Sequence, residues 1–182
     1  MHFSLAFLLS GFALISPVLS EVCEGQVTLS ETYIGVDKNV KVETVSCPEA
    51  ALARRGDLFS RQASNVTNVC GAQCDTFCFT PSGGGPDPNE CHVIADALRY
   101  DSQNTGSTFD IANGTTGNIV VMTYNTCESF FVNQFNSTLQ YCRTDWASVL
   151  DWVAPNCQST QNAHGGDCIA SDQRWFIQVQ HS

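Results

Sequence analysis

The chain has 182 residues, 43% of them hydrophobic, which is long and apolar enough to bury a core, and it carries ten cysteines. Lysine and arginine number 8 against 18 aspartates and glutamates, for a net charge of -10, and beyond Gly56 the only lysine or arginine side chains are Arg61, Arg99, Arg143 and Arg174. This field repels a phosphate backbone and anionic lipid headgroups and is indifferent to a neutral sugar, so nucleic acid and acidic membrane surfaces are excluded as partners.

The first twenty residues contain no acidic or basic side chain except His2, and Phe3 to Ile15 is a nearly unbroken apolar run followed by Ser16, Pro17 and the small-residue stretch to Ser20. That pattern predicts a signal peptide over residues 1–20, cut near Ser20-Glu21, too short to span a bilayer. No later stretch reaches the length of a membrane span, so a secreted, extracellular location is expected.

Ten cysteines follow that cut: Cys23, Cys47, Cys70, Cys74, Cys78, Cys91, Cys127, Cys142, Cys157 and Cys168. An even count in an oxidising compartment reads as disulfides. No Cys-x-x-Cys pair occurs, which disfavours zinc, and neither a metal nor a cofactor is expected. Sequons at Asn65, Asn113 and Asn136 predict N-glycosylation acceptors in exposed loops.

Residues 21–55 read as a hairpin segment or pro-region. A strand from Val27 to Ile34, a turn over 35–39 and the alternating run Val40 to Val45 would bring Cys23 and Cys47 together, so these two are expected to pair. The pairing of the other eight is left open by their spacing. Arg54-Arg55, in a helix-like Glu49–Ala53 context, is either a dibasic processing site or a solvated arginine pair. Arg55-Gly56-Asp57 spells an adhesion tripeptide too short to carry meaning. Residues 56–69 read as a linker.

Residues 70–182 form the main domain. Cys70, Cys74 and Cys78 recur every four residues, a spacing that predicts a helical face. Thr80 to Pro86 breaks any helix, and Asp87-Pro88-Asn89-Glu90 opens a new one with Val93, Ile94, Ala97 and Leu98 as its apolar stripe. Ile119–Tyr124 and Ser129–Val132 predict two strands. Thr144 is expected to cap a helix carrying Trp146, Val149, Leu150 and Val153 at core spacing and ending before Pro155. Trp175–Val179 alternates as a closing strand. The fold class is α+β, a disulfide-stapled domain whose antiparallel sheet packs with helices.

Several blocks in order, Cys70-Gly71-Ala72-Gln73-Cys74, Cys78 to Gly85, Tyr141 to Trp146, Gln161 to Gly166 and Trp175 to Ser182, resemble the Y3-type glycan-binding proteins of mushroom-forming (basidiomycete) fungi. The resemblance covers residues 70–182. It implies an α/β/α sandwich that recognises a fucosylated, GalNAc-containing glycan without catalysis, and it implies nothing about residues 21–55.

A neutral sugar needs an aromatic face for its C–H groups and fixed polar side chains for its hydroxyls. Trp146 and Trp175 fall on apolar stripes and read first as core. Trp152 and Tyr100 lie off them and are the better candidates. Polar readers cluster at Asp101, Ser102, Gln103 and Asn104 and in the stretch Gln158–Asp167, with Gln161, Asn162 and His164 foremost; cysteines at both ends of that stretch would pre-order it. The site expected from sequence is therefore Tyr100, Asp101, Asn104, Trp152, Gln161, Asn162 and His164.

Two enzyme readings compete. His92, His164 and His181 offer acid–base groups for RNA cleavage, but no cationic cluster accompanies them to hold phosphate. Asp145, Asp151, Asp167 and Asp172 offer carboxylates for a small glycoside hydrolase, but no motif singles out a pair. Serine-elbow, HExxH and P-loop motifs are missing, since Gly83-Gly84-Gly85 lacks the Lys-Ser/Thr that follows a P-loop. A secreted toxin or effector acting on a host protein is the remaining alternative.

Overall fold

A computed structural model describes residues 22–47, 66–114 and 116–182. The expected signal peptide and its cleavage point, the Glu49–Ala53 helix, Arg54-Arg55, the Arg55-Gly56-Asp57 tripeptide, most of the 56–69 linker and Asn65 lie outside the described residues.

The described elements are strands β1 (Val27–Ile34), β2 (Val40–Ser46), β3 (Thr67–Asn68) and β4 (Cys74–Cys78), helix α1 (Pro88–Asn104), strands β5 (Thr108–Ile111), β6 (Ile119–Tyr124), β7 (Cys127–Asn133) and β8 (Leu139–Cys142), helix α2 (Arg143–Asn156), and strands β9 (Gly166–Ala170) and β10 (Trp175–His181). Seven strands form one antiparallel sheet in the order β1-β2-β6-β7-β10-β9-β4. A second sheet runs β3-β8-β5, its β3–β8 pair parallel. The chain is thus an α+β domain with mostly antiparallel sheets, two helices among the described residues and five disulfides. No described helix is long and apolar enough to cross a membrane.

Both helices pack on one face of the large sheet. Val120 and Met122 of β6, Phe131 of β7, and Trp175, Ile177 and Val179 of β10 alternate toward that face and join Ile94, Leu98, Trp146, Leu150 and Val153 in one core. Helix α1 begins where Asp87 accepts the Asn89 N–H and Pro88 fills the first helical position, as its sequence predicts.

The N-terminal hairpin is the edge of the large sheet. Its β2 pairs with β6 from Lys41↔Thr123 to Val45↔Ile119. Ile34 and Val40 enter the main core, and the buried Asp101 of α1 accepts the Gly35 N–H at 3.3 Å. Gly35 has a φ of +87°, and a Cβ there would meet the Ala97 Cβ at 2.9 Å, so the turn admits only glycine against α1.

Cys23 pairs with Cys47 as expected. The others are Cys70–Cys142, Cys74–Cys168, Cys78–Cys157 and Cys91–Cys127. The four-residue cysteine spacing corrects the helix expected there: Cys74–Cys78 is strand β4, and Cys70 sits in the turn before it. A four-residue step also returns to the same face of a strand, and Asp75-Thr76-Phe77 between the cysteines pairs along β9. Helix α2 departs twice from expectation. Its N-cap is Cys142 rather than Thr144, with no side-chain cap bond, because the Cys70–Cys142 disulfide fixes where β8 ends. It also runs past Pro155 to Asn156, since a missing N–H in the last turn deprives only the Asp151 carbonyl of its helical partner.

A chain beginning at residue 66 would leave β6 as an edge and open the main core where Ile34 and Val40 enter it. Such a truncation is expected to lose cooperative thermal unfolding and the near-ultraviolet circular dichroism of the buried tryptophans, both of which the chain beginning at residue 21 retains.

Candidate functional site

A groove of about 300 Å³ lies between α2 and strand β4, the last strand of the large sheet. Asp145, Ser148, Val149 and Trp152 line it from α2, at the i, i+3, i+4, i+7 spacing of one helical face. Gln73, Cys74 and Thr76 line it from β4 and the turn before it, with Tyr141 and Cys168 at its base. Trp152 is 60% exposed, whereas Trp146 and Trp175 are fully buried. Val149, expected in the core, is half-buried on the groove wall instead.

Two disulfides hold the walls. Cys74–Cys168 locks β4 to β9 beneath the groove, and Cys70–Cys142 ties the turn before β4 to the start of α2. Each closes a loop of more than seventy residues, worth roughly 4 kcal/mol in the chain-entropy account. Asp145 Oδ2, in the first turn of α2, accepts the Gly71 N–H at 2.6 Å. The Ser148 hydroxyl donates to the Thr144 carbonyl, leaving its oxygen to accept. Burial pushes the Tyr141 hydroxyl far above its ordinary value, so it stays protonated at the base.

The residues expected to form a site are not brought together. Of the seven, only Trp152 lines the groove. Tyr100 and Asn104 lie at the C-terminal end of α1, where Asn104 donates to the Tyr100 carbonyl. Asp101 is 3% exposed and serves the fold through Gly35 and Thr105. Gln161, Asn162 and His164 lie near the other end of α1, where Gln158 reaches the Pro86 carbonyl. The seventeen residues of α1 separate the two groups by about 25 Å.

The 158–165 stretch spends its polar groups on itself and on the glycine-rich segment. Gln158 and Gln161 cap a single 3₁₀ turn reciprocally, Asn162 Oδ1 accepts the Ser82 N–H, and His164 Nδ1 lies 2.7 Å from the Pro81 carbonyl. Because a carbonyl only accepts, Nδ1 carries the proton there. A Cβ on Gly83 or Gly85 would press His164 at 3.3 or 3.2 Å. Cysteines do anchor both ends of the stretch, Cys157 to Cys78 and Cys168 to Cys74.

The four aspartates considered for hydrolysis occupy four places. Asp145 lines the groove; Asp151 faces α1; Asp167 lies on the sheet face away from the helices; Asp172 pairs with Arg174 in the β9–β10 turn. Burial raises the Asp167 carboxyl above its ordinary value. The histidines are likewise separate: His92 pairs with Asp151, His164 with Pro81, and His181 with Ser182.

Sequence reasoning missed Gly71, Gln73, Thr76 and Ser148 as candidate ligand contacts and weighed Asp145 only as a hydrolytic carboxylate. The helical spacing of Asp145, Ser148 and Trp152 was readable; their meeting with Gln73 and Thr76 depends on disulfides whose pairing was open. Compared with known proteins, the chain matches no family model and no curated protein.

On the far side of α2, His92 lies between Asp151 and Asp96, at 2.8 and 3.5 Å, and Arg99 bonds both carboxylates. The hydrogen bond that His92 donates to Asp151 raises the His92 pKa. Burial alone would raise Asp151, but its bonds from His92 and Arg99 outweigh that and hold it low. A raised histidine pKa contributes stability that is fully present below about pH 6.5 and is lost as pH rises through the folded value. Replacing His92→Ala is therefore expected to lower the melting temperature at pH 5.5 by an amount worth less than about 1 kcal/mol, since the His92 and Asp96 side chains are largely exposed, and to have a smaller effect at pH 9, where a neutral imidazole still donates one hydrogen bond to Asp151.

Proposed function

We propose that this chain is a secreted, non-catalytic carbohydrate-binding protein whose ligand lies in the groove between α2 and β4. The observation that carries this reading is Trp152, a large aromatic side chain left 60% exposed in a groove that also presents Gln73, Thr76, Asp145 and Ser148 and whose walls are held by disulfides. An exposed indole beside fixed hydroxyl, amide and carboxylate acceptors suits a sugar, whose C–H face stacks and whose hydroxyls donate. The resemblance to Y3-type proteins supports a neutral, GalNAc-containing or fucosylated ligand. Dispersal of the four aspartates supports binding without turnover, because a glycosidase brings two carboxylates together across one bond.

The test is a glycan array run beside a turnover assay on its best ligands, with Trp152→Ala as the control. Binding without cleavage is expected, and Trp152→Ala should weaken it by ~2 kcal/mol, roughly thirtyfold, with an unchanged circular dichroism spectrum. Released sugar would favour a small glycoside hydrolase, and a blank array would favour an effector directed at a host protein.

Export and glycosylation belong to the same reading. The described residues of the sequons meet at one end of the small sheet: Thr67 donates its N–H to the Thr138 carbonyl of the Asn136 sequon, and Asn113 Nδ2 donates to the Asn136 carbonyl at 2.7 Å. The buried Asn133 amide organises this end by donating to the Ile111, Ala112 and Ser137 carbonyls. Asn136 itself is exposed. Protein secreted from a eukaryotic host is expected to lose mass on treatment with an N-glycosidase, and Asn136→Gln to remove part of that loss. The sandwich implied by the resemblance needs cover on both sheet faces; the burial of Val45, Ile119, Val121 and Phe130, opposite the helices, supports it.

A further inference from the structure

We infer that Asp145 sets the charge selectivity of this groove, which takes neutral saccharides of at least two rings and turns away those carrying a sulfate or carboxylate at the Asp145 end. The inference rests on the carbohydrate reading above and adds the class of sugar admitted. Asp145 and Trp152 are seven residues apart on one face of α2, two turns or about 10 Å along the axis, so an aromatic contact and a carboxylate contact stand at opposite ends of the groove. One pyranose ring stacked on Trp152 does not reach Asp145, and a second ring is needed to engage it.

The Asp145 end is built to accept. Oδ2 is held by the Gly71 N–H at 2.6 Å, which fixes the carboxylate before any ligand arrives, and no described residue donates to Oδ1. Gln73 Nε2 commits one hydrogen to the Gly71 carbonyl, leaving its amide oxygen to accept and one N–H to donate. The Ser148 hydrogen is committed to Thr144. At the Asp145 carboxylate itself the sugar must supply the donor, which a hydroxyl does and a sulfate or carboxylate does not.

Nothing described offers an anion a counter-charge here. The described lining has no Lys or Arg. Arg99 is paired with Asp96 and Asp151, and Arg174 with Asp172. Arg143, though next to Asp145 in sequence by two residues, lies over the Phe109 ring and donates its Nε–H to the Gly106 carbonyl. An anionic ligand would leave water and meet a fixed carboxylate with no cation in the described lining to offset it.

The test uses the full mature chain and titrates a GalNAc-terminated disaccharide and its two monosulfated forms, one with sulfate on each ring, against wild type, Asp145→Asn and Trp152→Ala by calorimetry. Asparagine keeps an oxygen for the Gly71 N–H, so the turn stays in place. For wild type, the form with sulfate at the Asp145 end should bind at least roughly tenfold more weakly than the neutral disaccharide, a penalty softened by added salt. Asp145→Asn should shrink that ratio to about threefold or less, while Trp152→Ala weakens all ligands and leaves the ratio in place. A ratio unchanged by Asp145→Asn for both sulfated forms overturns the inference and assigns rejection to the net charge of -10. Equal binding of neutral and sulfated forms by wild type overturns it as well, while leaving the carbohydrate reading intact. Failure of wild type to bind any of the three, together with a blank array, removes that reading and the inference with it.

Discussion

One buried hydrogen bond fixes how α2 is turned. Trp146 donates its indole N–H to the Ser129 hydroxyl at 2.9 Å, and Ser129 passes its own hydrogen to the Gln178 carbonyl at 3.0 Å. The chain of bonds runs from helix to β7 to β10 through fully buried surroundings, where an unpaired indole N–H would cost about 1–3 kcal/mol. Phe131, Tyr141 and Trp175 pack around it, with Phe131 and Trp175 stacked at 5.3 Å. Rotating α2 by one residue would break the bond and clash with this cluster. Once Trp146, Leu150 and Val153 face the sheet, Asp145, Ser148, Val149 and Trp152 must face β4.

The groove is therefore the remainder left by core packing. A helix broad enough to cover β8, β9 and β10 leaves its flank over the last strand, and among the described residues β4 has no neighbouring strand beyond it to fill the space. A strand at the end of a sheet is free to shift unless it is tied, and β4 is tied twice, by Cys74–Cys168 and Cys78–Cys157. Those bonds set the groove's width before any ligand is present, which lowers the ordering cost of binding. The opposite flank of α2 is closed by a different chemistry, the four charges of His92, Asp96, Arg99 and Asp151. Trp152 stands next to Asp151 in sequence but a helical step away from that cluster, on the open side.

Local signals wrote much of the fold into the sequence. The Asp87-Pro88 helix start, the Cys23–Cys47 hairpin and the strands at β6, β7 and β10 were legible because caps, turns and period-two alternation act over a few residues. Short strands such as β5 and β8 were not, since Thr108–Ile111 and Leu139–Cys142 are defined by their partner more than by their own pattern. The three cysteines from Cys70 to Cys78 misled for a similar reason, a four-residue step being compatible with helix and strand alike. At the site, Trp152 was legible as an aromatic off the apolar stripe. Gln161, Asn162 and His164 looked like ligand readers because they are polar and bracketed by cysteines, yet Asn162 and His164 hold down the Pro81–Gly85 segment and Gln161 caps its own 3₁₀ turn. Polar side chains that organise a loop and polar side chains that meet a ligand have the same composition, and only their partners tell them apart.

The central claim is that ligand is held between Trp152 and Asp145, and the most direct measurement is the backbone and indole N–H spectrum of isotope-labelled protein titrated with a GalNAc-terminated disaccharide. Three indole signals are available, two from buried side chains and one from Trp152. The account predicts that the Trp152 indole and the amides of Gly71, Gln73, Thr76 and Ser148 shift together with a single affinity, while Gln161, Asn162 and His164 stay in place. Shifts confined to the 158–165 stretch or to Tyr100 and Asn104, with the Trp152 indole unmoved, would contradict it.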